Sequence, residues 1–268
     1  MTVYARNGLI LSVLATALSV AGLTGLWVID GGDSERIWFG VTELLLITLL
    51  LVNGFAIKRF VFNQQSSLLA RQVAWLSVLS LALCVGGDVV NRNFAQLFFQ
   101  HGTVVKHDYL ADSVLFFAPG YLLLILAMWR VAVRKGVTTV FIAVTGGAFA
   151  AIGVASFFTM ADFNAGDYVL GITGGYTIVI GVISAAGLWL LKAFGGWQAP
   201  RAAWLVAIGA VLATVADALI GNFWIYGNNG EGYFPAISYI NWIVYFSSQA
   251  LVQQLPLLVV ADKSLRAA

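Results

Sequence analysis

The chain has 268 residues, of which 60% are hydrophobic and only 10% charged, and its mean hydropathy is +0.91. A soluble domain carries about 25% charged residues, so this composition excludes one, and a net charge of +2 gives no footing for a nucleic-acid partner. A single cysteine, Cys84, and two histidines, His101 and His107, leave neither a disulfide framework nor a metal cluster to expect.

Repeated apolar runs of about 20 residues match a hydrocarbon core of about 30 Å at about 1.5 Å per helical residue. They do not alternate over about 10 residues, as strands of a transmembrane barrel would. The expected fold class is all-α, a polytopic membrane bundle of eight transmembrane helices. The spans fall at 9–29, 37–57, 72–90, 110–129, 137–158, 169–191, 204–224 and 237–260. The first is too long for the apolar region of a signal peptide and is read as a retained helix.

Basic residues orient the bundle. Arg6, Lys58, Arg59, Arg71, Arg130, Arg134, Lys135, Lys192, Arg201, Lys263 and Arg266 fall on one side, and only Arg36, Arg92 and Lys106 on the other. The asymmetry places both termini in the cytoplasm, with the chain in the cell inner membrane. The lipid bilayer is then the first partner.

Between the third and fourth spans lies the longest loop, 91–108. Phe94, Leu97 and Phe98 at i, i+3 and i+4 suggest a short interfacial helix; the alternative is a loop packed over the bundle. His101 and His107, in the same loop, read as solvated. In the sixth span Gly171-x3-Gly175 and Thr177-x3-Gly181 are small-x3-small patterns that let helix backbones approach closely. A GxGxxG cofactor cradle is unsupported, because no strand precedes the glycines, and no cofactor is expected.

An internal echo runs through this layout. Asp88 precedes Asn93-Phe94, and 129 positions later Asp217 precedes Asn222-Phe223; Asp112 falls where Asn241 does, and Phe116-Phe117 where Tyr245-Phe246 do. The shared Asp-x4-Asn-Phe suggests a duplication. One transmembrane domain, 1–268, would then hold repeat halves of about 1–133 and 134–268. Four spans per copy make the halves parallel, related by an axis along the membrane normal.

Four carboxylates lie within or at the ends of spans: Glu43, Asp88, Asp112 and Asp217. Such groups are costly in hydrocarbon and usually face the bundle interior or a wet cavity. Asp217 lies thirteen residues beyond Trp204, about 20 Å from the cytoplasmic edge, and Glu43 about 9 Å in from the outer end of its span. All four belong to the outer half of the bilayer. Helical spacing gathers polar residues beside them. Ser77, Ser80, Cys84, Asp88 and Asn91 share one face of the third span, and Ser238, Asn241, Tyr245 and Ser248 share one face of the eighth, with Gln249 and Gln253 one residue round. Ala207, Ala210, Thr214, Asp217 and Gly221 form a small-residue face on the seventh. These stripes should converge on the bundle axis.

Asp88 and Asp217 are the candidate catalytic pair. Glu43, Asp112, Asn222, Trp224, Asn241, Tyr245 and Gln249 are the candidate substrate-binding residues around them. The plainer alternative makes Asp88 and Asp217 structural acids, with Glu43 and Asp112 interfacial. Two carboxyls in different surroundings can divide acid and base roles. No Ser-His-Asp set, metal cluster or phosphate loop is visible in the sequence, so acid–base work on an amphipathic or hydrophobic small molecule is the enzymatic class this inventory favours. Protonation of an electron-rich double bond fits best, because aromatic rings stabilise the cation that results.

Eight spans, Gly87-Asp88 at the end of the third, Ala216-Asp217 in the seventh and Tyr245-Phe246-x2-Gln249 in the eighth resemble the lysoplasmalogenase family. The resemblance implies a membrane hydrolase that hydrates the vinyl ether of lysoplasmalogens with a pair of aspartates in those spans. The family's Lys-Pro-Leu segment in the second span has no counterpart, since Lys58-Arg59-Phe60 falls after that span. Pro119-Gly120-Tyr121 stands where the family has His-x2-Tyr. The chain is also similar to multi-span bacterial sensory modules, in its acid, long loop and Asp112 opening a span that ends in Gly120-Tyr121. A sensory role would need a separate membrane-protein partner. Intramembrane acids and a parallel repeat also suit a proton-coupled transporter.

Overall fold

A computed structural model describes residues 2–26, 33–64, 66–92, 94, 99–101, 104–106, 110–226 and 235–265. Eight of its helices are long and apolar enough to cross a membrane: α1 Val3–Leu23, α2 Asp33–Asn63, α3 Leu68–Asn91, α4 Leu110–Arg134, α5 Thr139–Met160, α6 Asp167–Ala193, α7 Arg201–Ile220 and α8 Pro235–Val252, the last continued by α9 Leu255–Ala261. The fold is therefore the all-α, eight-span bundle that hydropathy predicts.

Local chemistry sets the boundaries. The Thr2 hydroxyl accepts from the Ala5 amide at 3.2 Å and caps α1, satisfying an N–H that the first turn leaves without a partner. The first span consequently begins six residues before the expected 9–29, with Arg6 and Asn7 inside the helix. It ends at Leu23 with Thr24 as its cap, and Gly25 follows at a φ of +71° that continues no right-handed helix. At the other end of the bundle, Gly136 takes a φ of +82°, while Gly136 N–H donates to Val133 and Val137 N–H to Ala132. That paired C-terminal cap closes α4 and sends the chain directly into α5, whose cap is Thr138.

Two spans depart from plain helix. Residues Gly221–Ile225 wind as a wider π turn, with the Tyr226 amide reaching back five residues to the Gly221 carbonyl at 3.1 Å. The eighth span breaks at Gln253-Gln254 and restarts with Pro256 in the first turn of α9, where proline's missing N–H costs nothing. Pro119, by contrast, lies inside α4 without ending it.

Packing separates core from rim. α8 is the most buried of the eight spans and α5 the least. Val140, Val144 and Ile152 of α5 are each more than 60% exposed, as a lipid-facing helix requires. α3 packs along α4 and α7 along α8, while α1 leans on α8 and α5 on α6. The expected interfacial helix rests on Leu97 and Phe98, outside the described residues. Phe99–His101 and Val104–Lys106 pair as a short antiparallel hairpin, β1–β2, with Gln100 opposite Val105. His107 also lies outside the described residues.

Lipid gives no hydrophobic drive between helices, so close backbone approach matters. A Cβ on Gly153 would run into the Thr177 carbonyl, and one on Gly181 into the Phe149 carbonyl. Thr177-x3-Gly181 is thus the contact face of α6 against α5. Gly171 and Gly175 are not, since a Cβ on either meets nothing within 4 Å. Gly181→Ala should destabilise the bundle by about 1–3 kcal/mol through overpacking, whereas Gly171→Ala should be neutral or stabilising by up to about 1 kcal/mol. Thermal melts of the two variants in micelles check this; equal melting points would contradict the assigned contact.

The C-terminal segment is pinned to the end of α4. Lys135 Nζ donates to Asp262 Oδ2 at 2.8 Å and to Ser264 at 3.0 Å. Partial burial pushes the Asp262 carboxyl up, but hydrogen bonds from Lys135 and Ser264 and the Lys135 charge outweigh it, leaving the group below its ordinary value. A carboxyl lowered in the folded state stabilises above its unfolded value and loses that contribution as pH falls through its folded one. Wild type should therefore exceed Asp262→Asn in stability by about 1 kcal/mol at neutral pH. The gap should close once pH drops below about 4, as melts across that range would show.

Candidate functional site

The acidic ends of α2, α3, α4 and α7 meet at one end of the bundle. Glu43, 1% exposed, forms an ion pair with Arg92 at the end of α3, which ties α2 to α3. Asp112 accepts a hydrogen bond from Tyr168, joining the start of α4 to the start of α6. Between these ties the chain buries its polar stripes. Ser77, Ser80, Cys84 and Asp88 on α3, Asn241, Tyr245, Ser248 and Gln249 on α8, and Gln253 just past its end are all less than 9% exposed.

Asp88 and Asp217 line one cavity, together with Asn91, Arg92, Ser238, Asn241, Trp242 and Tyr245. A second cavity adjoins it, lined by Asp217, Met160, Thr173, Tyr176, Ile180, Ile225 and Tyr226 among others. Asp217, Phe117 and Ile220 belong to both linings. The site is therefore a two-lobed chamber, polar on the Asp88 side and mainly apolar on the other. Asp217 stands at the junction. The lobes leave about 30 and 40 Å³ to water-sized molecules. A single water needs about 10–15 Å³, so each lobe has room for a few.

Each aspartate has a phenol as partner. The Tyr245 hydroxyl donates to Asp88 Oδ2 at 2.8 Å, and the Tyr176 hydroxyl to Asp217 Oδ2 at 3.1 Å. Behind Tyr176, the Tyr121 hydroxyl accepts from Gln249 Nε2 at 3.5 Å. Tyr121 and Tyr176 stack with centroids 6.3 Å apart. Phe117 meets Tyr245 edge-on at 5.9 Å, and Trp242 leans on Tyr245 at 5.6 Å. Gly87 makes this possible. A Cβ there would lie 2.9 Å from the Phe117 ring, so the glycine before Asp88 admits the ring beside the acid. The π turn completes the apolar lobe by turning Ile225 and Tyr226 inward, both buried, with the Tyr226 hydroxyl 2.6 Å from Thr173.

The expected site residues divide as follows. Asp88, Asp217, Asn241 and Tyr245 come together in the chamber, with Gln249 behind it through Tyr121. Glu43 lies one step out, through Arg92. Asp112 lines neither cavity, although its neighbour Ser113 does. Asn222 is exposed, its side-chain amide donating to the Ala218 carbonyl of its own helix at 2.8 Å. The side chain of Trp224 is outside the described residues. Spacing alone did not single out Tyr121, Tyr176, Phe117 or Arg92 as site residues. Among the described residues no group of three or more His, Cys, Asp or Glu is arranged to hold a metal.

The model of the YhhN family matches residues 37–254. The chain belongs to the YhhN family. That family includes lysoplasmalogenase-like membrane proteins, in line with the resemblance carried by Gly87-Asp88, Ala216-Asp217 and Tyr245-Phe246-x2-Gln249. The YhhN match takes in every residue of the chamber and leaves out α1 and α9. No curated protein and no solved structure matched the chain.

Proposed function

We propose that this YhhN protein is a membrane hydrolase that hydrates the vinyl ether of a lysoplasmalogen-type lipid, with Asp88 and Asp217 as its acid–base pair. The observation that carries the reading is that the two carboxyls line one small, aromatic-walled cavity between apolar spans. In the proposed reaction a carboxylic acid delivers a proton to the alkenyl carbon remote from the ether oxygen, leaving an oxocarbenium ion. The other carboxylate takes a proton from water as that water adds to the carbon bearing oxygen. The hemiacetal then releases a fatty aldehyde and the glycerophospho-alcohol, with one water consumed.

The lobes suggest the assignment. In this reading Asp217, at the junction with the apolar lobe, protonates the chain-bearing carbon. Asp88, which shares its lobe with Asn91, Asn241 and Ser238, directs the water. The rings of Phe117, Tyr245 and Trp242 would shield the cation. A lipid does not fit the lobes as they stand, so substrate drawn from the bilayer must part helices to enter. In this reading the chamber lies in the extracytoplasmic half of an inner membrane, with both termini in the cytoplasm and the aspartates as counterparts in a 129-residue duplication.

The test is turnover by purified protein of three matched lysophospholipids, with vinyl-ether, alkyl-ether and ester linkages. Aldehyde should come from the vinyl ether alone and, in D2O, should carry one deuterium on the carbon next to the carbonyl. Release from the ester, or no release from any of the three, would refute the assignment. Proton-coupled transport has one observation in its favour: Asn53 Oδ1, Gln253 Nε2 and Gln254 Oε1 are buried without partners beside the break before α9. Proton flux into vesicles, without aldehyde release, would select it.

A further inference from the structure

At the opposite end of α2 from Glu43, a cationic and aromatic face opens to the lipid. Val52, Phe55, Lys58 and Phe62 recur at steps of three and four, and Arg71, Trp75 and Leu79 at steps of four on the adjoining α3, so each set shares one helix face. Lys58 Nζ lies 3.4 Å from the centroid of Trp75 and within 6 Å of Phe55 and Phe62. The Arg71 guanidinium sits 5.6 Å over Phe62. The rings are not core, for Phe55, Phe62 and Trp75 are each more than a third exposed.

Two features point to a ligand. Rings hold these cations by their π faces, and among the described residues no side-chain hydrogen bond takes up their N–H donors. Among the described residues the ion pairs are Glu43–Arg92 and Lys135–Asp262, so no carboxylate neutralises Lys58, Arg59 or Arg71. The charge is graded like an amphiphile. Lys58, Arg59 and Arg71 lie toward the α2–α3 turn with Phe62 between them and it, Phe55 and Trp75 come next away from the turn, and Val52 and Leu79, both exposed, continue into the hydrocarbon. Lys58 is fifteen residues from Glu43, about 22 Å along the helix, so this face is separate from the chamber.

We propose that the α2–α3 face binds the headgroup of an anionic phospholipid, with Lys58 and Arg71 donating to the phosphate and an acyl chain lying over Trp75 and Leu79. The test is thermal stability of delipidated protein in micelles, titrated with phosphatidylglycerol, with phosphatidylcholine of the same chains, or with inorganic phosphate. Phosphatidylglycerol should raise the melting point and bind roughly tenfold tighter than phosphatidylcholine, as juxtamembrane cations favour anionic lipid. Lys58→Gln/Arg71→Gln should lose that preference, and Arg130→Gln/Arg134→Gln should keep it. Equal response to both lipids, the same response to inorganic phosphate, or a preference that survives Lys58→Gln/Arg71→Gln would overturn the proposal. If the double variant does not fold, native mass spectrometry of wild type decides: preferential retention of phosphatidylglycerol supports the site, and equal retention of the two lipids overturns it.

Discussion

Asp88→Asn and Asp217→Asn should each lower aldehyde release from a vinyl-ether lysophospholipid by about 10²–10⁴-fold, the range general acid–base groups contribute. An asparagine retains an acceptor for the tyrosine that faces each carboxyl, Tyr245 for Asp88 and Tyr176 for Asp217. The hydrogen bond survives while the transferable proton is lost, so melting points should stay close to wild type. The double variant should be little worse than either single one, because groups acting as a unit are not additive in their removal. Leucine would be the wrong replacement, since it would leave two buried phenols without acceptors. Turnover that persists in either asparagine variant would return both aspartates to a structural role.

The second large effect concerns the tie between α2 and α3. Arg92→Ala strips the partner from Glu43, a carboxylate 1% exposed, and should cost about 3–5 kcal/mol, as for a buried charge left uncompensated. Replacing both residues, as in Glu43→Leu/Arg92→Met, should recover most of that loss, because a well-packed apolar pair often does as well as a buried ion pair. Unfolding in mixed micelles gives both values. If the double variant is as unstable as Arg92→Ala alone, the loss belongs to Arg92's other contacts, which include the face of Trp242 at 5.9 Å.

The eight spans were legible because hydropathy over 20 residues depends on little but the solvent each segment must meet. Their ends were less so. Thr2 caps α1 through one hydroxyl, a feature that average hydropathy does not register. Asp88, Asn241, Tyr245 and Gln249 could be placed on inward faces because α3 and α8 keep regular helical spacing to that depth. Asn222 could not be, because the π turn adds a residue and voids the 3.6-residue count beyond Gly221. Tyr121 and Tyr176 carried a signal that went unused. Each lies mid-span, too deep for the interfacial aromatic belt, and a buried phenol needs a partner. Arg92 reads in sequence as one of three basic residues on the sparse side, and only the fold shows that Glu43 is why it is there.

The π turn also makes the apolar lobe separable from the bundle that holds it. Rewinding Gly221–Ile225 as ordinary helix, with all five residues kept, would swing everything downstream by about 100°, the rotation of one residue. Ile225 and Tyr226 would then leave the chamber wall, although Asp217, one turn earlier, would stay in place. Pocket shape in this chain thus depends on the winding of one turn and can change without touching either acid, a short step by which a common scaffold comes to accept different chains.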